Sequence, residues 1–147
     1  AVRTADCLPI FVTNFDGSFV SLIHAGWKGM LNGVIEKTLD KIRSPSEIIV
    51  WLGPCIGQES FEVGNDIYDL FLQKDIDTKK AFKFLNNRYY LDLAKAAKLK
   101  LNYLDITNIS GVGVTENFCT FRDQKKFFSY RRDGKTGRMA SLLWIDS

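Results

Sequence analysis

The apolar positions of this chain alternate between short β-favouring runs and longer stretches with helical spacing. Leu8 to Thr13 (Leu-Pro-Ile-Phe-Val-Thr) is the first short run. Pro9 cannot donate a ladder hydrogen bond, so it belongs at the start or an edge of that strand. Asn14-Phe15-Asp16-Gly17 predicts a turn, Asp16-Gly17 being a strong hairpin pair, and Phe19 to His24 returns as a second strand. Helical spacing then takes over. Leu31, Val34, Ile35, Leu39 and Ile42 recur at three- and four-residue intervals and predict a helix from about Lys28 to Arg43. Ser44-Pro45-Ser46 ends it, and Glu47 to Leu52 predicts a buried strand.

Gly53-Pro-Cys-Ile-Gly57 follows as a tight loop whose glycines permit close approach of backbone to a ligand. Phe61 to Gly64 predicts a short strand. Asn65 is placed to cap a helix through about Gln73 that buries Ile67, Leu70 and Phe71. Lys74 to Lys80 reads as a solvated connection. Two short strands, Ala81 to Leu85 and Arg88 to Leu91, join at Asn86-Asn87, and Asp92 caps an Ala- and Lys-rich helix to about Tyr103. Asp105 to Val114 is β-branched, with Gly111 and Gly113 pointing to a bulge or a packed backbone. Thr115 to Lys126 is irregular. Phe127 to Arg138, followed by Met139 to Ile145, predicts a strand-turn-strand with a basic middle. Residues 1–147 hold no repeat, low-complexity tract or linker and form one domain of mixed α+β class, since the hairpins exclude an all-parallel sheet.

Composition adds bounds rather than a function. With 46% apolar and 25% charged residues, the chain is an ordinary globular protein. A net charge of +3, without a clustered basic face, does not favour nucleic acid and suits an anionic small ligand equally well. No apolar run reaches the roughly 20 residues needed to span a bilayer, and no signal peptide is visible. Cys7, Cys55 and Cys119 are an odd, widely spaced set with no CxxC, which predicts reduced thiols in a cytoplasmic setting. The chain begins Ala-Val-Arg, without methionine, almost directly on a strand. That start predicts a further N-terminal segment absent from this sequence.

Candidate chemistry centres on Cys7 and His24, the latter the only histidine. Pairing across the Asn14–Gly17 turn brings both to one rim. Three readings are open. A thiolate and an imidazole are two ligands of a zinc site, whose third would be Asp6, another cysteine or something absent. Alternatively His24 activates Cys7 directly as a dyad. Or the two are a buried thiol and a core histidine that never meet. In extended chain Asp6 points away from Cys7, so it orients a neighbour or binds backbone rather than sharing a metal. Cys55 and Cys119 read as small hydrophobes. The turn Gly26-Trp-Lys-Gly29 opens a helix N-terminus that favours anions. Tyr130-Arg131-Arg132-Asp133 with Arg138 is the densest cationic cluster, equally readable as an anion site or a solvated surface.

Thr4-Ala-Asp-Cys-Leu-Pro9, His24-Ala-Gly-Trp-Lys-Gly29, Gly53-Pro-Cys-Ile-Gly57, Phe61-Glu-Val-Gly64 and Phe128-Ser-Tyr-Arg-Arg132 with Thr136-Gly-Arg138 occur in this order. Together they resemble the YfiH/YlmD-like laccase-domain family, also labelled multicopper polyphenol oxidases or purine nucleoside phosphorylases. The resemblance implies mixed, sandwich-like β-sheets flanked by helices, related to the fold of a bacterial deamidase toxin with a Cys-His site. It implies bacterial cytoplasmic proteins whose metal, usually zinc, is held by two histidines and a cysteine. By motif the cysteine is Cys7 and one histidine is His24, while the other is expected upstream of residue 1. The 147 residues then correspond to the C-terminal three-fifths of a member. Zinc-dependent phosphorolysis of purine nucleosides to base and ribose 1-phosphate, with adenosine deamination, is the implied activity. Lys28, Arg131 and Arg132 are the candidates for holding phosphate. The competing expectations are a metal-free Cys-His hydrolase or deamidase, a polyphenol oxidase, and a non-catalytic nucleoside-binding domain. One Cys and one His are too few for a multicopper centre.

Overall fold

The computed structural model describes residues 1–42 and 48–146. Its spine is strand β2 (Leu8–Asn14), five of whose seven residues are buried. Leu8, Ile10 and Val12 are completely sequestered, each contributing about 1.5–3 kcal/mol of apolar burial. On one side β2 pairs antiparallel with β3 (Val20–Ala25), matching Leu8 to Ala25 and Pro9 to His24. On the other it pairs antiparallel with β4 (Ile48–Leu52), which pairs in parallel with β8 (Ile109–Gly111). The order β3-β2-β4-β8 leaves β3 at an edge. Two smaller sheets complete the β structure. One is β1 (Val2–Thr4) against β9 (Met139–Ser141), and the other is β5 (Glu62–Val63), β7 (Arg88–Leu91) and β6 (Phe82–Leu85) in the order β5-β7-β6.

The helices cover these sheets. Helix α4 (Leu93–Tyr103) buries Leu93, Ala94, Ala96, Ala97 and Leu101, and the Asp92 carboxylate caps it by accepting from the Lys95 N–H at 2.9 Å. Helix α3 (Asn65–Lys74) buries Phe71 and lays Tyr68 on Tyr89 of β7, ring centroids 4.0 Å apart and nearly parallel. The fold is thus mixed α+β, with three sheets flanked by helices. No helix among the described residues is long and apolar enough to cross a membrane.

Where the turn chemistry is local, the structure follows the pattern. Gly17 closes the β2–β3 turn by donating to the Asn14 carbonyl at 3.1 Å. Asn86 and Asn87 both take positive φ, as the tightest hairpin turn requires. Four expectations fail for identifiable reasons. The helix expected from Lys28 to Arg43 is two pieces, α1 (Trp27–Leu31) and α2 (Val34–Leu39), because Gly33 adopts left-handed φ +75° after Asn32 and ends α1. Arg43, the Ser44-Pro45-Ser46 stop and Glu47 lie outside the described residues. Gly64, not Asn65, holds the cap position of α3, and Leu70 is 41% exposed rather than buried. Of Asp105–Val114, only Ile109–Gly111 is strand. Finally, the segment 127–138 is no strand. It contains a helical turn, α5 (Tyr130–Asp133), capped by the Ser129 hydroxyl, which accepts from the Arg132 N–H at 3.2 Å.

Gly111 carries the junction of β4 and β8. Its φ is +95°, and a Cβ there would lie 2.2 Å from the Leu52 carbonyl oxygen, which cannot move without breaking its bond from the Val112 N–H. Gly111→Ala is therefore expected to cost about 3 kcal/mol or more in urea denaturation. Asn87→Gly, which relaxes a positive φ on an exposed turn, should change stability by less than about 1 kcal/mol.

Candidate functional site

The chain bends between β1 and β2, and that bend makes the site. Asp6 takes a left-handed φ of +88° and turns its side chain inward, where only 8% of the residue is exposed. One carboxylate oxygen accepts from the Thr120 hydroxyl at 2.6 Å. The other accepts from the Ser129 hydroxyl at 3.0 Å and from the Arg131 backbone N–H at 2.7 Å. The Asp6 carbonyl also accepts from the Ile56 N–H at 3.0 Å, pinning the 53–57 loop. Asp6 thus orients backbone and two hydroxyls, the role expected of it beside Cys7.

Cys7 faces the other way. In the β2–β3 register Pro9 stands opposite His24, and cross-strand partners share a face of the sheet. Two residues on, Cys7 lies against Gly26, where a Cβ would come within 2.7 Å of the Cys7 sulfur. The β2–β3 register begins at Leu8, paired with Ala25, so Cys7 precedes the paired strand while His24 lies within it. His24 is exposed, and its ring makes no side-chain hydrogen bond among the described residues.

Beside Cys7 opens a cavity of about 240 Å³. Ala5, Asp6, Ile56 and Leu93 line it with Cys7, while Trp27, Phe61 and Tyr130 supply aromatic walls and Arg131 a cation. It is smaller than the roughly 300–1,000 Å³ typical of small-molecule sites. A larger groove between α1, α2, α3 and α4 contains none of the candidate residues. His24 stands outside the cavity wall on the edge strand. Lys28 is exposed, its Nζ 5.3 Å from the Trp27 ring centroid.

The two adjacent arginines have different fates. Arg132 spends all five of its side-chain N–H groups: on the Thr120, Phe121 and Phe127 carbonyls and on both oxygens of Asp133. It is a clamp for the C-terminal segment, with no donor left for a phosphate, and its expected anion-holding role is corrected accordingly. Arg131 makes one such bond, from Nη1 to the Glu62 carbonyl at 2.9 Å, and lies over Phe61 with its Cζ 5.1 Å from the ring centroid. Cys55 is fully buried, its thiol pushed far up by burial and then by Asp92. Half-buried Cys119 accepts from the Gly57 N–H at 3.2 Å. Sequence reasoning missed the aromatic walls and the Thr120 and Ser129 hydroxyls. Only Ser129, a good cap residue ahead of Tyr130-Arg-Arg-Asp133, carried a readable signal.

Burial raises the Cys7 thiol above the ordinary range, the Asp6 carboxylate raises it further, and Arg138 partly opposes them. A thiol and an imidazole are donor types that suit zinc. Among the described residues no group of three or more His, Cys, Asp or Glu is placed to hold a metal ion.

This arrangement defines a mixed α+β domain in which Cys7 lines an aromatic-walled cavity. The chain belongs to the family described as multi-copper polyphenol oxidoreductase laccase, whose profile matches residues 1–146. It is 44% identical over 149 aligned positions to a purine nucleoside phosphorylase of Haemophilus influenzae, covering 99% of this chain and 59% of that protein. With the purine nucleoside phosphorylase YfiH of Escherichia coli it shares 40% identity, covering 99% and 58%. A crystal structure of a Neisseria meningitidis protein superposes with a TM-score of 0.90 at 38% identity, covering 99% of this chain and 60% of that one. YfiH from Bacillus licheniformis follows at TM-score 0.82 and 32% identity, covering 92% and 53%. The chain therefore spans about three-fifths of the length of the curated relatives it matches.

Two outcomes are expected of the site's framework. Asp6→Ala strands two buried hydroxyls and an amide and should cost about 3 kcal/mol of stability, while Asp6→Asn, which keeps an acceptor and tolerates positive φ, should cost less. In metal-free protein, alkylation of Cys7 followed by peptide mass mapping should be slow at neutral pH. The rate should rise with a midpoint above that of an ordinary thiol, because the raised pKa keeps the reactive thiolate scarce until higher pH.

Proposed function

We propose that this chain carries the active-site region of a zinc-dependent enzyme of purine nucleosides. It cleaves adenosine- or inosine-type nucleosides with phosphate into base and ribose 1-phosphate, and also deaminates adenosine. One observation carries the reading: Cys7 lines a cavity with aromatic walls and a guanidinium. The names of the relatives, purine nucleoside phosphorylases, support the phosphorolysis.

Cys7 and His24 would hold the metal, with the remaining ligand from outside the described residues. Bound zinc supplies Lewis-acid polarisation and lowers the pKa of water. Trp27, Phe61 and Tyr130 offer π faces to a flat purine and keep water from it. The guanidinium of Arg131 meets phosphate oxygens, and exposed Lys28 adds a cation beside Trp27. In phosphorolysis a phosphate oxygen bonds to C1′ of the ribose as the bond from C1′ to the base breaks. The electron pair leaves with the base, which takes up a proton. Free cysteines at positions 7, 55 and 119 suit a reducing, cytoplasmic setting.

The raised Cys7 thiol weighs against a metal-free nucleophile, which would have to be a thiolate near neutral pH. One histidine and no group of three candidate ligands among the described residues weigh against a multicopper centre. Incubation of the full-length protein with adenosine or inosine and phosphate should yield free base, ribose 1-phosphate and, from adenosine, inosine, whereas the 147 residues alone, short of one ligand, should turn over little. Cys7→Ala and His24→Ala should each lower turnover by more than the ~10–100-fold typical of losing a ligand's supporting partner. Bound zinc should protect Cys7 from alkylation. Nucleoside binding without product would leave a binding domain instead, and turnover with Cys7 open to alkylation would favour the metal-free dyad.

A further inference from the structure

Two arginines of the C-terminal segment lie over aromatic side chains of the cavity wall, without a carboxylate partner among the described residues. Arg131 comes from α5. Arg138 comes from the residue before β9, whose Met139 pairs with Thr4, so Arg138 stands across the ribbon from Ala5, a residue of the cavity wall. Its Cζ lies 5.9 Å from the centroid of the Tyr130 ring, as that of Arg131 lies 5.1 Å from Phe61, and both rings line the same cavity. Arg138 bonds through Nη1 to the Thr136 and Gly137 carbonyls at 3.0 Å each, which fixes the guanidinium and leaves Nε and Nη2 free. On Arg131, Nε and Nη2 are likewise free. Arg132 lies between them in sequence but has no donor left. An aromatic face beneath a guanidinium keeps its N–H edge presented while shielding one side from water.

We propose that Arg138 and Arg131 form a two-guanidinium clamp at the mouth of the Cys7 cavity that binds inorganic phosphate. The clamp rests on the phosphorolysis reading and adds Arg138 to it. Each guanidinium presents a planar fork matched to two oxygens of a tetrahedral dianion. An anion bridging the two forks sits at the rim rather than among the apolar groups of the floor.

The test is steady-state phosphorolysis with phosphate and nucleoside varied separately. Arg138→Ala is expected to raise the phosphate KM by about 10- to 100-fold, the loss typical of a charge-assisted hydrogen-bond pair, and far more than the nucleoside KM. Arg138→Lys, which keeps the charge but not the fork, should recover part of that loss. Lys83→Ala, which removes an exposed charge on β6, controls for net charge and should leave the phosphate KM unchanged. A phosphate KM within twofold of wild type in Arg138→Ala overturns the clamp while the phosphorylase reading stands. If wild type shows no phosphorolysis, that reading falls and calorimetric titration with inorganic phosphate alone decides the clamp. Saturable binding lost in Arg138→Ala supports it, and no saturable binding overturns it.

Discussion

The buried carboxylate of Asp6 is the constraint on which the site depends. A carboxylate taken out of water is costly unless donors replace its hydration. Here the donors come from 114, 123 and 125 residues further along the chain. Two hydroxyls and one backbone amide must therefore converge on the bend between β1 and β2. Their convergence brings Tyr130 and Arg131 to the cavity. The same left-handed bend that turns Asp6 inward turns Cys7 towards Gly26 and the cavity. Remove the inward carboxylate, and the Cys7 sulfur loses the bonds that hold Tyr130 and Arg131 at its cavity.

Three arginines within eight residues show how one side chain serves two ends. Arg132 is bound on every N–H and acts as a staple, holding the carbonyls of residues 120, 121 and 127 against α5. Arg131 and Arg138 are bound only in part and rest on aromatic rings. The difference lies in which carbonyls the backbone leaves nearby, not in the residues themselves. A guanidinium with its donors spent stabilises the fold, whereas one with donors to spare stabilises an anion. The staple also keeps the segment between the other two in one place, so their separation is set before any ligand arrives.

How much could be read from the sequence follows the range of the interactions. The Asp16-Gly17 turn, the Asn86-Asn87 turn and the Asp92 cap are decided by neighbours within a few residues, and each stands where the pattern put it. The hairpin itself pairs Leu8 with Ala25 and Pro9 with His24, as the turn between the two runs implied. Gly33 was a local signal that the regular spacing of Leu31, Val34 and Ile35 concealed. The segment 127–138 is different in kind. Alternating Phe, Tyr and Arg read as strand, but the Ser129 cap and the distant Asp6 carboxylate hold it as a helical turn. Long-range bonds of that sort leave no periodicity behind. The cavity was illegible for the same reason, since Cys7, Trp27, Phe61, Leu93 and Tyr130 come from five separate stretches.

The scattered motifs also have one spatial explanation. Gly26 has no side chain because the Cys7 sulfur occupies the place its Cβ would take, so the second motif is shaped by the first. Gly53 donates its N–H to the Pro9 carbonyl and Ile56 donates to that of Asp6, so the third motif closes around the same residues. Phe61, opening the fourth, lies beneath Arg131 of the fifth, whose backbone returns to Asp6. Packing alone would account for the glycines and the backbone bonds. The exposed His24, Arg131 and Arg138 side chains are polar groups that this packing leaves to solvent.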